Sequence, residues 1–198
     1  MPKALSFDAH TRKWALLAVF AALWSFKVTG GDLKSPAAAN APRDGQHDFD
    51  FEIGDWKTHV KRLQHPLSGS RTWVEYDGTS VVRGILGGRA NVVELQITGP
   101  TGRIDGLSLR LYEPTTRQWS LNYASASDGH LTAPIIGGFR DGRGTFYGQD
   151  NLGGRAVIVR FVITMLSRDH LHFEQAFSAD GGQSWETNWV ADDTRDRS

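Results

Sequence analysis

The chain has 198 residues, a length that fits one domain with a short extension. Lys plus Arg number 22 and Asp plus Glu number 22, so the chain has no net charge at pH 7 to attract nucleic acid, and we expect no nucleic-acid partner. The absence of Cys excludes disulfides, thiolate metal clusters and a Cys nucleophile. The 22 Gly, 10 Phe and 7 Trp residues favour an all-β domain with many turns and large aromatic core side chains.

The N-terminal segment has the order of a secretory signal, with basic residues before an apolar run at 14–26. This run is short for a transmembrane helix, which takes roughly 20 residues. We therefore interpret residues 1–26 as a signal-peptide-like or anchor segment, and residues 27–46, which show no apolar periodicity, as a linker. The expected location is periplasmic or secreted if the segment is a signal and cytoplasmic otherwise. Membrane contact is expected only through this segment, if it stays uncleaved.

From residue 47 onward, short β-branched and aromatic runs alternate with turn signals such as Asp77-Gly78 and Asp128-Gly129. Apolar and polar side chains alternate within several runs, as in Leu107 to Tyr112, and no stretch shows a sustained helical period. Residues 47–195 are therefore predicted to form a closed antiparallel up-and-down β-barrel of about ten strands. The first strand is expected near residues 51–63, and an open two-sheet sandwich is the alternative.

Gly54-Asp55-Trp56, at the start of the first predicted strand, has the Gly-x-Trp pattern of lipocalin-type proteins, so the chain resembles a calycin. In that superfamily the Gly permits a bend and the Trp plugs the closed end of the barrel. A basic residue from the end of the last strand commonly covers the Trp. The resemblance implies that Trp56 is buried and that Arg195 lies against it.

Further segments widen the resemblance to a bacterial lipocalin-like family that carries a domain-of-unknown-function label. They are Gly87 to Ala90, Leu109 to Pro114 followed by Trp119, and Ser178 to Trp185. The resemblance covers roughly residues 48–195 and implies the same barrel, but it supplies no established activity.

The segment Ser178 to Trp185 also matches the Asp-box pattern S-x-D-x-G-x-[ST]-W. We expect Asp180 to accept backbone N–H bonds within the turn and Trp185 to pack across the hairpin. This is a structural role and indicates no catalysis.

Polar residues that interrupt apolar strands are the candidates for contacts with a ligand inside the barrel. They are Glu94, Arg110, Asn122 and Arg160. A buried charge needs a partner, so an inward arginine would suit an acidic or carbonyl-bearing ligand, whereas the alternative is that these side chains point into water. If they do, the aromatic side chains of Trp73, Trp119 and Tyr123 become the next candidates.

Among the histidines, only His170 and His172 have a spacing that places two rings on one face of a strand. A catalytic zinc site normally needs three protein ligands, so we predict no metal site and expect this pair to be exposed. The sequence has no G-x-S-x-G elbow, phosphate loop or dinucleotide fingerprint, and we predict no cofactor.

Two classes of function remain open. The first is binding or carriage of a small, largely apolar molecule inside the barrel. The second is a cofactor-independent lyase, isomerase or cyclase, in which an acid such as Glu94 and a buried His act on a ligand in the same cavity. A barrel with a filled core and a purely structural role is a third, weaker possibility.

Overall fold

The computed structural model describes residues 44–198. The predicted signal segment and most of the predicted linker lie outside these residues. The described chain contains two short 3-10 helices, Asp50–Glu52 and Leu86–Gly88, and ten strands. The strands are β1 Gly54–Leu63, β2 Trp73–Ile85, β3 Ala90–Gly99, β4 Gly102–Glu113, β5 Gln118–Ser125, β6 Ile135–Arg140, β7 Arg143–Leu152, β8 Arg155–Ser167, β9 His170–Ser178 and β10 Glu186–Arg195.

Each strand pairs antiparallel with the next one in the chain, and β10 returns to pair with β1. The sheet is therefore a closed up-and-down barrel, which confirms the predicted fold and excludes the open sandwich. Within residues 44–198, no helix has the length and apolar character needed to cross a membrane.

Strand β1 shows how alternation divides the wall into two faces. Trp56, Thr58 and Val60 are buried and point inward, whereas Lys57 and Lys61 are exposed. The strand begins at Gly54, three residues later than expected, because residues 50–52 form a 3-10 helix instead of extending the strand. That helix belongs to the segment that closes one end of the barrel.

Residues 44–53, here called the plug, fill the end of the barrel where β1 begins. Phe49 is 1% exposed, and its ring meets Trp119 edge to face at 4.9 Å between ring centroids. Trp119 Nε1 donates to the Gly45 carbonyl over 2.9 Å, and the Tyr112 hydroxyl donates to Asp44 Oδ1 over 2.7 Å. Residues 44–46 were assigned to the linker from their composition. That assignment was wrong for these three residues, because backbone and carboxylate groups anchor them without an apolar pattern.

Gly54, Trp56 and Arg195 form a lock across the closed end. Trp56 is 1% exposed, its Nε1 donates to the Glu52 carbonyl over 2.7 Å, and the Arg195 guanidinium lies 4.1 Å from its ring centroid. The burial of Trp56 and the position of Arg195 are thus confirmed. Gly54 has φ +135°, and a Cβ there would lie 2.6 Å from Arg195 Nη1, so the position needs Gly both for its backbone and for space.

Arg195 also ties the plug to the last strand. Its Nη1 donates to the Ile53 carbonyl over 3.0 Å and its Nη2 donates to the Phe51 carbonyl over 2.9 Å. Arg195 pairs with Trp56 across β10 and β1, so one side chain holds the first strand, the last strand and the plug together.

The hairpin between β9 and β10 has the geometry expected of an Asp box. The Ser184 backbone N–H donates to Asp180 Oδ1 over 2.9 Å, and the Ser184 hydroxyl donates to Asp180 Oδ2 over 2.6 Å. Trp185 lies against Gly182, whose carbonyl accepts its Nε1–H over 3.1 Å. These contacts fix the turn and lie on the outside of the barrel.

The ladder between β5 and β6 is the shortest in the barrel. Only Trp119, Ser120 and Leu121 pair with β6. Further along β5, Tyr123 instead bonds the connecting loop, since Thr132 N–H donates to the Tyr123 carbonyl over 2.7 Å and Tyr123 N–H donates to Thr132 Oγ1 over 3.0 Å. A loop therefore completes the wall beside the open end.

Candidate functional site

The barrel encloses a cavity of about 900 Å³ that runs from the open end down to the plug. This volume lies at the upper end of the range of about 300–1,000 Å³ that is typical of small-molecule sites. Its lining is mixed, because polar and charged side chains are about as numerous as apolar ones. The apolar part of the wall includes Val60, Leu95, Val159, Phe161, Ile163, Phe173 and Trp189.

The cavity floor, next to the plug, carries a row of polar side chains. Asp193 on β10 lies directly opposite Thr58 on β1, and the Thr58 hydroxyl hydrogen-bonds Asp193 Oδ1. The Ser80 hydroxyl on β2 lies 3.0 Å from the Thr58 hydroxyl. Because Thr58 has a single hydroxyl proton, the row can point in either direction. An ionised Asp193 accepts from Thr58 while Ser80 donates to Thr58, and a protonated Asp193 donates along the same row in the opposite direction.

Burial raises the pKa of Asp193 to about 6, against the hydrogen bond from Thr58, which lowers it. The Glu52 charge raises this pKa further and the Arg110 charge lowers it. Asp193 is only partly covered by protein, because the side chain faces the cavity. The floor therefore holds an acid that changes its charge just below neutral pH.

Glu52 on the plug and Arg110 on β4 form a buried ion pair at the floor. Arg110 Nη1 donates to Glu52 Oε2 over 2.5 Å, and Arg110 and Glu52 are 9% and 5% exposed. The Phe49 ring covers the guanidinium at 4.4 Å. Within the described residues, Glu52 Oε1 and Arg110 Nε have no hydrogen-bond partner although both atoms are buried. The charges of the pair therefore cancel, but one acceptor of Glu52 and one donor of Arg110 remain without hydrogen bonds among the described residues.

Tyr123 projects from β5 into the upper part of the cavity, near its mouth. Burial raises the pKa of its hydroxyl, and the nearby Arg62 charge opposes that rise. A Cβ at Gly106 on β4 would lie 2.5 Å from the Tyr123 hydroxyl, so the absence of a side chain at Gly106 makes room for the ring. Asp105 and Asp128 lie at the same mouth.

Two of the four predicted ligand contacts border the cavity. Arg110 lies at the floor, and Asn122 lies beside the loop wall, where its Nδ2 donates to the Thr132 carbonyl over 3.0 Å. The floor brings Arg110 together with Glu52 and Asp193, neither of which was a candidate from sequence.

The other two candidates lie outside, and their expected inward orientation was wrong. Glu94 is exposed and accepts from Gln96 Nε2 over 3.0 Å, because its neighbours Val93 and Leu95 take the inward positions of β3. Arg160 covers the Trp185 ring at 4.4 Å on the outer face. Both charged residues interrupt apolar runs because their strands also carry apolar side chains on the outside.

The three aromatic alternatives lie in different places. Tyr123 lines the cavity, Trp119 is buried beneath the plug, and Trp73 is 39% exposed. They form no common rim.

His172 lies on the outer face and is partly buried rather than fully exposed. Its Nδ1 lies 2.7 Å from Asp192 Oδ1 and its Nε2 lies 3.2 Å from Glu174 Oε1. Partial burial alone would lower the pKa of His172, but the hydrogen bonds to these two carboxylates outweigh it and raise the pKa above its usual 6.5. Among residues 44–198, no group of three or more His, Asp or Glu side chains is placed to hold a metal ion.

Sequence reasoning missed Asp193, Thr58, Ser80 and Glu52. The signal for Asp193 was present, because Trp189, Ala191 and Asp193 occupy alternate positions and all face inward. The adjacent Asp192 makes the segment look like a charged, exposed strand end. Glu52 gave no such signal, since its position depends on the 3-10 helix of the plug.

The described residues thus form a closed ten-strand antiparallel barrel with an interior cavity. No protein-family model matches the chain, and a search of curated proteins finds no relative. Among solved structures, the chain resembles the S-type phycobiliprotein lyase CPES from Guillardia theta, with a TM-score of 0.55 and 12% identity over 79% of this chain and 99% of that chain. It is also similar to a de novo designed fluorescence-activating beta barrel, with a TM-score of 0.40 and 11% identity over 78% of this chain and 100% of that chain. At these identities the likeness to the lyase concerns the fold alone.

Proposed function

We propose that the protein binds or carries a small, largely apolar molecule inside its barrel. The observation that carries this proposal is the cavity of about 900 Å³, whose wall has an apolar part and whose mouth and floor are polar. A filled structural barrel needs no such space, because protein cores normally pack without voids larger than a water molecule. The few polar groups at the floor are of the kind that orients a ligand in an otherwise apolar site.

The test uses the full chain and two matched tryptophan substitutions. Leu95 lines the cavity, whereas Leu107 on the neighbouring strand is 42% exposed on the outer face. Leu95→Trp should fill part of the cavity and weaken binding of the neutral fluorophore Nile red by about tenfold or more, and Leu107→Trp should leave it unchanged. Equal binding by both variants, or no binding by the unaltered protein, would overturn the proposal. If the proposal holds, mass spectrometry of molecules that copurify with the chain would identify the natural ligand.

A cofactor-independent enzyme is a second candidate, favoured by the row of Asp193, Thr58 and Ser80. A carboxyl group that titrates near neutral pH and has a reversible hydrogen-bond row suits proton transfer to or from a bound ligand. The test is to incubate the copurifying ligand with the protein in deuterated water and look for deuterium on carbon. Exchange that Asp193→Asn abolishes would support catalysis, and its absence would leave Asp193 with a binding role.

We also propose that the chain belongs to the bacterial lipocalin-like family that its motifs resemble. The contacts among Gly54, Trp56 and Arg195 support this assignment, because they have the arrangement that the Gly-x-Trp pattern implies. An experimental structure of a family member with the same three contacts would strengthen it. A member with a different first-strand geometry would contradict it.

A further inference from the structure

The floor of the cavity has an excess of negative charge and of hydrogen-bond acceptors. Glu52 and Arg110 neutralise one another, so an ionised Asp193 leaves the floor with one uncompensated negative charge. Other charged groups near Asp193 lie on the outer face. Asp192, whose charge also raises the pKa of Asp193, bonds His172 there, and Lys57 and Lys61 are exposed. Arg195 lies over Trp56 and its guanidinium bonds the plug.

Within the described part of the chain, two carboxylate oxygens at the floor have no hydrogen-bond donor: Glu52 Oε1, which the protein covers, and Asp193 Oδ2, on a side chain that faces the cavity. Glu52 is 5% exposed, lines the cavity, and has a buried Oε1 with no partner among the described residues. Asp193 Oδ1 is bonded by Thr58, and no donor within residues 44–198 reaches its other oxygen, Oδ2. Of the groups that the structure describes at the floor, Arg110 Nε is the one donor that also lacks a partner, so the acceptors without donors outnumber it, and a ligand that supplies N–H donors to Asp193 would satisfy the excess.

We propose that the ligand carries a protonated nitrogen, such as an alkylammonium or amidinium group, and places it against Asp193 at the floor, beside Glu52, while its apolar part fills the barrel. This inference rests on the proposed ligand binding and names the chemical class of the ligand. An organic cation supplies both the missing charge and the missing donors, and N–H bonds from a cation to a carboxylate are among the stronger hydrogen bonds in proteins.

A ligand with a carboxylate at its inner end is disfavoured by the same geometry. Among the described residues, Arg110 would be its only cation at the floor, and Glu52 already lies 2.5 Å from that guanidinium. A ligand carboxylate would also approach Asp193, and like charges at such distances repel. A neutral alcohol fills the same volume but brings one donor and no charge.

The experiment compares three ligands with the same hydrocarbon chain, decylamine, decanol and decanoate, as competitors of Nile red below micelle-forming concentrations. At pH about 7.5, decylamine should displace the probe at a concentration about tenfold or more below that of decanol, with decanoate the weakest. Asp193→Asn should bring decylamine to within about twofold of decanol. Asp192→Asn is the matched control, since it removes a carboxylate from the adjacent outward position and should preserve the preference for the amine.

A second measurement needs no variant. Because burial raises the pKa of Asp193 to about 6, protonation below that pH should reduce the preference for the amine over the alcohol in the unaltered protein. Equal displacement by amine and alcohol at pH about 7.5, or a preference that survives Asp193→Asn or stays constant with pH, would overturn the cation assignment and leave ligand carriage standing. Failure of Nile red and of all three competitors to bind would overturn both.

Discussion

Replacing Arg195 by Met should destabilise the barrel far more than the same change at a neighbouring arginine. Met keeps part of the apolar stem but removes two hydrogen bonds to the plug and the contact with Trp56. The Arg195 side chain is 25% exposed, so we take the lower end of about 1.5 kcal/mol for each hydrogen bond of a charged group and about 0.5–1 kcal/mol for the cation–π contact. The expected loss is therefore about 3.5–4 kcal/mol in the free energy of unfolding.

The matched control is Arg197→Met. Arg197 and Arg195 both pair with Asp169, but the Arg197 side chain is 73% exposed and has no bond to the plug. Exposed ion pairs contribute little to stability, so the free energy of unfolding of this variant should equal that of the unaltered protein.

Both variants can be compared by urea unfolding followed through tryptophan fluorescence and by thermal melting. For a domain of this size, the Arg195→Met loss corresponds to a fall in Tm of roughly 10 °C. The emission of Trp56 should also shift to the red in the folded state, because water reaches its ring when the guanidinium is gone. Equal stability of the two variants would show that Arg195 does not hold the plug and would refute the reasoning.

Three further outcomes can be checked by chemical unfolding. Arg110→Met should cost about 3–5 kcal/mol, because it leaves the Glu52 carboxylate buried without its cation, and adding Glu52→Leu should recover part of that loss. His172→Gln should flatten part of the pH dependence of the free energy of unfolding. The raised pKa of His172 means that this residue stabilises the fold below pH 6.5 and loses the effect as pH rises through its folded pKa. Asp193→Asn should stabilise the protein above pH about 6 by up to about 3 kcal/mol and have little effect below the ordinary Asp pKa of 3.8. The reason is that the unaltered protein loses stability as pH rises from 3.8 to about 6, because the folded state disfavours the ionised form of Asp193. An Asp193→Asn variant that is less stable than the unaltered protein both above pH about 6 and below pH 3.8 would contradict this prediction.

The barrel itself could be predicted because turn signals and period-two alternation act locally. A Gly-rich turn after each short run leaves an antiparallel neighbour as the simplest partner for the next strand, and closure removes the two edges. The pairing of Trp56 with Arg195 could also be predicted, since it rests on a short motif and on the position of the last strand.

The inward face of each strand could not be predicted from alternation alone. In β4, Leu107 and Leu111 are 42% and 36% exposed on the outside, while Arg110 points inward. The usual rule that apolar side chains face the core would place Arg110 outside. Arg110 nevertheless points inward, because Glu52 on the plug is an ion-pair partner that offsets the cost of burying the guanidinium. Such a contact joins residues far apart in the chain, and no local pattern records it.

The short ladder between β5 and β6 gives the barrel a flank that differs from the rest of its wall. Along β7 and β8 the strands pair from Arg143 to Leu152, whereas beside Tyr123 the wall is a loop held through Thr132. Opening that flank breaks a few hydrogen bonds and leaves the plug and the other ladders in place. Amide protons near Tyr123 should therefore exchange with solvent faster than those of β8, because this flank can open while the rest of the barrel stays folded.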